Sequence, residues 1–111
     1  MQHVSLENGR WAEMSFAQQM ANIGSETSRV SKAFMAGKDS RAGSAFARAQ
    51  ELIDLTIKYG RTKENPSARS AMLEELCRFR ELFCAAVLAR NQEELDSLNK
   101  YLDQFALIKA R

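Results

Sequence analysis

Apolar positions along this chain recur every three or four residues and almost nowhere every second residue, so the pattern predicts helices and no sheet. The first helical stretch runs from about Arg10 to Ala36, where Phe16, Met20, Ile23, Thr27, Val30 and Phe34 form one seam. Ser15, with Gln18 three residues on, has the form of a capping box and places the regular start there. Gly37 suits the left-handed position that ends a helix. A second stretch, about Ser40 to Tyr59, lines up Ala42, Phe46, Ala49, Ile53 and Thr56, widened by Ala45, Leu52 and Tyr59, and stops at Gly60. A polar linker follows, in which Asn65 is placed as a cap and Pro66 as the first residue of the next helix. That third helix, about Pro66 to Arg90, turns Met72, Leu76, Phe79, Phe83 and Val87 inward, with Leu73, Leu82 and Leu88 broadening the face. Asn91 and Glu94 suit the start of a fourth helix, about Gln92 to Lys109, with Leu95, Leu98, Leu102 and Phe105 on its core side. Asn91 is a soft break, so a kinked, continuous third and fourth helix is the alternative.

Four helices with one broad apolar stripe each, joined by short connections, pack as an antiparallel, up-and-down four-helix bundle. At 111 residues the chain makes a single domain, 1–111, with residues 1–9 as a flexible tail. One step around the first helix from its large seam lies a second stripe made of small residues: Ala17, Ala21, Gly24, Ser28 and Ser31. A glycine inside a helix costs about 1 kcal/mol against alanine. Small side chains offset that by letting a neighbouring axis come closer than the usual separation of about 8–10 Å. That neighbour is either another helix of this chain or the same helix of a second copy in a homodimer.

Composition narrows the functions. The chain is 45% hydrophobic and 27% charged, as a folded domain is, and its 16 basic and 14 acidic residues leave a net charge of +2. That balance gives no electrostatic footprint for nucleic acid. No window approaches about 18 uninterrupted apolar residues, so no membrane span is expected. The opening MQHVSLENGRW has no apolar run of the kind a signal peptide carries. Cys77 and Cys84 lie about 10.5 Å apart along one helix, too far to bridge, and read as buried, reduced thiols in a cytoplasmic protein.

Candidate chemistry is sparse. His3 is the single histidine and sits in the tail, so neither a nucleophile–histidine pair nor a histidine–cysteine metal set can be assembled. Di-iron bundles need Glu-x-x-His pairs, and no glycine-rich phosphate loop occurs. No cofactor and no enzymatic activity are expected. In CRFRELF, Arg78 and Arg80 alternate with Phe79 and Phe83. These arginines are either an anion or partner contact or, more simply, pair with Glu74, Glu75 or Glu81.

The segments WAEMSFAQQMANIGSE (11–26), AFARAQELIDLTI (45–57), ELCRFRELFC (75–84) and LNKYLDQFALIKAR (98–111) resemble a family of small bacterial all-helical proteins of uncharacterised activity. Its motifs are a Trp-x-x-Met-Ser start, an Arg-Ala-x-Glu-Leu-x-Asp-Leu-Thr block and a Tyr-x-x-x-Phe-Ala end. The resemblance is distantly HEPN-like, and it implies a dimerising helical bundle that pairs with a nucleotidyltransferase or, in some members, cleaves RNA. The ribonuclease pattern requires a histidine shortly after an arginine on one helix, and no histidine follows His3 here. The stretch AGKDSRAGSAFARAQELIDLTI (36–57) is also similar to flagellar export chaperones, which implies a groove for an amphipathic helix. The expectation is therefore a non-enzymatic helical interaction module, homodimeric, with an HEPN-type partner of nucleic-acid metabolism or an export-type chaperone as alternatives.

Overall fold

A computed structural model describes residues 10–59 and 66–110. The expected flexible tail 1–9 with His3, the stop at Gly60, the cap at Asn65 and the side chain of Tyr59 lie outside the described residues. The chain is all-α. A single turn, α1 (Trp11–Glu13), precedes four long helices: α2 (Phe16–Met35), α3 (Asp39–Tyr59), α4 (Pro66–Ala89) and α5 (Gln92–Ala110).

The boundaries follow from local chemistry. At the start of α2, the Ser15 hydroxyl accepts the Gln18 amide at 3.1 Å and the Gln18 side chain accepts the Ser15 amide at 2.8 Å. Gly37, at φ 70°, closes α2: its amide reaches the Phe34 carbonyl, and the Lys38 amide reaches that of Ala33. The same motif ends α4, but with Arg90 at φ 52° in the glycine position; the Arg90 amide donates to Val87 and the Asn91 amide to Ala86. The Asn91 side chain then accepts the Glu94 amide at 3.0 Å and starts α5. The third and fourth long helices are thus separate.

Arg90 also shows how the hairpins are arranged. Its guanidinium grips both carboxylate oxygens of Asp39, at 3.0 and 2.7 Å, and lies 5.2 Å from the centre of the Phe34 ring. The α2–α3 and α4–α5 turns therefore meet at one end of the bundle, as up-and-down connectivity requires. In cross-section α2 packs closely against α3 and α5, while α4 closes the square against the same two neighbours more lightly.

The core runs through the middle of this square, with Met20, Ile23 and Val30 of α2, Ala49, Leu52 and Ile53 of α3, Leu76, Phe79 and Phe83 of α4, and Leu95, Leu98 and Leu102 of α5 all buried. Rings link its layers: Phe79 stacks on Phe83, and Tyr101 meets Phe105 edge to face. Trp11 is 1% exposed and plugs one side, its indole N–H donating to the Thr56 hydroxyl at 3.0 Å. The buried Gln19 amide donates to the Trp11 carbonyl at 2.9 Å, which ties the single turn α1 to α2.

Two expected core positions are corrected. Leu82 is 44% and Leu88 85% exposed. At about 100° per residue Leu82 falls beside the arc carrying Leu76, Phe79, Phe83 and Ala86, and Leu88 nearly opposite its centre. α4 has apolar residues on nearly every side, so its wheel does not identify the inward one. The thiols are corrected too: both are free, Cys84 is half-buried and Cys77 is exposed on the flank that carries Leu88.

Candidate functional site

The small-residue stripe of α2 faces α5 of the same chain where the structure is most specific about it. A Cβ built on Gly24 would sit 3.2 Å from the Leu102 Cβ, closer than side chains ordinarily approach. One turn from the helix end, the buried Ser31 hydroxyl donates to the Asp96 carboxylate at 3.0 Å and accepts from the Gln92 amide at 2.7 Å. Ala17, Ala21 and Ser28 are half-buried along the same line. Ala21, Gly24 and Ser28 line a shallow groove completed by Leu102 and Asp103.

Arg78 and Arg80 are separated rather than brought together. Arg80 reaches across to α3 and pairs with Asp54, which corrects its expected pairing within α4. Geometry explains the choice: Arg80 lies on the flank of α4 that meets α3, beyond easy reach of Glu74, Glu75 and Glu81. Glu75 instead accepts a hydrogen bond from the Tyr101 hydroxyl of α5. Burial first, then the bond to Glu75 and its negative charge, hold the Tyr101 phenol well above its ordinary pKa. Arg78 stays exposed at the rim of an open α4–α5 groove floored by Phe79, Leu98 and Tyr101. Beside that groove, Ala71, Arg78, Leu82, Ala85 and Ala89 are all exposed and share one side of the helix, at intervals of seven, four, three and four. This solvent-side seam was open to reading from spacing, but the stronger aromatic seam on the same helix masks it.

A second surface is electrostatic. The α2–α3 hairpin encloses a groove of about 610 Å³ near its closed end, lined by Arg29, Lys32, Lys38, Arg41 and Arg48 over a floor that includes Ala33, Ala36 and Ala45. At one end of it the buried Glu26 carboxylate is used on both oxygens, by Arg29 on one and by Arg48, at 2.7 Å, on the other. Glu26 therefore anchors the arginines and is not a free base. In sequence these cations are scattered among uncharged residues; only the antiparallel pairing of α2 with α3 gathers them. Arg29 and Lys32 lie three apart on α2 and Arg41 and Arg48 seven apart on α3, spacings that put each pair on one side of its helix without saying which helices meet.

No group of three or more histidine, cysteine, aspartate or glutamate side chains able to hold a metal ion occurs among the described residues, and no helix there is long and apolar enough to cross a membrane. No protein-family model, curated protein or solved structure matches the chain.

Proposed function

We propose that the chain is a non-enzymatic helical interaction module that self-associates through the solvent face of α4. The observation that carries this reading is the exposed seam Ala71, Arg78, Leu82, Ala85 and Ala89, apolar apart from Arg78 and with three alanines beside Leu82. Small residues at that spacing suit close contact between helices. A second copy is the occupant that the pattern favours, because the seam is self-complementary. Antiparallel pairing about a two-fold axis through its middle sets Ala71 of one copy against Ala89 of the other and the Arg78 stem against Leu82, and each contact is then repeated by symmetry. The seam lies on the helix least covered by its own chain. Two free cysteines, one of them exposed, support a reducing, cytoplasmic setting.

Sedimentation equilibrium across the micromolar range tests the proposal with the wild type and Ala85→Arg. An exposed alanine on a free surface tolerates arginine within about 0.5 kcal/mol. The expected result is a wild type at twice the 12.5 kDa chain mass and a folded Ala85→Arg variant at 12.5 kDa. A wild type that stays at the single-chain mass, or an Ala85→Arg variant that still pairs, removes the proposal.

A further inference from the structure

We infer that the groove between α2 and α3 is a binding site for a small organic or inorganic polyphosphate, of the nucleoside di- and triphosphate class. Charge is the first argument. Five cationic side chains line the groove, and two of them, Arg29 and Arg48, share the buried Glu26 beyond its end. Lys32, Lys38 and Arg41 have no acidic partner among the described residues. Asp39, next to Lys38 in sequence, is committed to Arg90 through both oxygens. Like charges gathered along one groove repel one another, and among the described residues Glu26 is the carboxylate that pairs with any of the five.

Shape and size point to a compact ligand. A volume of about 610 Å³ falls within the span of small-molecule sites, roughly 300–1,000 Å³. From Arg41 to Arg48 the groove follows α3 for about 10 Å, enough for two or three linked phosphates and too much for one. Ser40 and Ser44 add hydroxyls along this wall, and the alanine floor leaves a shallow apolar strip for an uncharged portion of the ligand. Lys38 precedes α3, accepting the Ala42 amide on its carbonyl, and its side chain offers no acceptor for the remaining first-turn amides. Those amides add to the positive field at the Lys38–Arg41 end. An extended polynucleotide fits less well, because α4 and the start of α5 carry Glu74, Glu75, Glu81, Glu93 and Glu94 and leave no continuous basic track among the described residues.

Isothermal titration of the full chain at physiological ionic strength, with tripolyphosphate, ATP, adenosine and a single-stranded oligonucleotide, tests the site. The expected result is one-to-one binding of tripolyphosphate and ATP, none of adenosine, and weaker binding as salt rises. ATP binding more tightly than tripolyphosphate identifies a nucleotide ligand, whereas equal affinity identifies the phosphate chain alone; either result supports the site. Lys32→Gln and Arg41→Gln should each weaken binding about tenfold, since a hydrogen bond to a charged group is at stake in each. Lys100→Gln on α5 removes the same charge elsewhere and should leave affinity unchanged. All three positions are exposed, and circular dichroism is the check that each variant is folded. No binding of either polyphosphate at millimolar concentration, equal loss in Lys100→Gln, or an oligonucleotide that outcompetes ATP overturns the inference.

Discussion

Gly24 and Gly43 both lie inside long helices, so helix propensity alone predicts that alanine at either position stabilises by up to about 1 kcal/mol. The structure predicts opposite outcomes. At Gly43 an added Cβ meets nothing within 4 Å, and Gly43→Ala should realise the full gain. At Gly24 the added Cβ lands 3.2 Å from Leu102 Cβ, so α2 and α5 must separate by a few tenths of an ångström. Leu102 is 1% exposed and held by the core, and it has little freedom to retreat. That strain should cancel the propensity gain, leaving Gly24→Ala near neutral or destabilised. Gly24→Leu should overpack the crossing and cost about 1–3 kcal/mol. Leu102→Ala alone opens a cavity and should cost about 2–5 kcal/mol. Leu102→Ala keeps the Cβ that blocks position 24, but in a Leu102→Gly background that atom is gone and Gly24→Leu has room, so this double-mutant cycle should show a favourable coupling of about 1 kcal/mol or more. Urea unfolding followed by circular dichroism reads all of these, provided the denaturant slope stays constant across the set. Gly24→Ala as stabilising as Gly43→Ala, or strictly additive Gly24 and Leu102 variants, would refute the close-approach reasoning.

Three further outcomes follow from contacts already described. Thr56→Val removes the acceptor of the Trp11 indole and should cost about 1–3 kcal/mol, with altered tryptophan fluorescence reporting the loss at Trp11 itself. Glu26→Gln leaves Arg29 and Arg48 facing each other without their shared counter-charge; because Glu26 is nearly buried while both arginines reach solvent, thermal unfolding should show a loss of about 2–3 kcal/mol. Asp39 is the pH-sensitive member of its pair, since the hydrogen bond from Arg90 lowers its pKa below the ordinary 3.8. Its stabilising contribution should be present above pH 3.8 and fade as pH falls through the lower folded-state pKa, so acid unfolding curves of wild type and Asp39→Asn should converge at the acid end.

What could be read from the sequence was local. Ser15 with Gln18, Gly37, and Asn91 announce helix ends because each acts on backbone groups within a few residues. Arg90 gave no such notice: arginine has no preference for a left-handed backbone, and here it sits where the Asp39 carboxylate and the Phe34 ring hold its side chain. The inward faces of α2, α3 and α5 were legible wherever large and polar residues alternate cleanly around the helix. On α4 they do not, and spacing alone points Leu82 and Leu88 at a core they do not reach. Arg80's pairing with Asp54 and the assembly of the basic groove were out of reach for a different reason. Both depend on which helices become neighbours, and residue spacing along one helix carries no information about that.

The closeness of α2 to α5 has a temporal consequence. Ser31 finds Asp96 across 65 residues of chain, and Gly24 finds Leu102 across a longer span still. A bundle whose tightest contacts joined successive helices could settle as each hairpin left the ribosome. Here the first long helix holds one flank open until the last has been made. Such long-range closure raises contact order, which slows folding relative to bundles built from neighbouring hairpins. During synthesis the unfilled flank of α2 is partly screened by its own composition: alanine, glycine and serine expose little apolar surface while they wait. The residues that permit the final close approach are thus also ones that limit sticking on the way there.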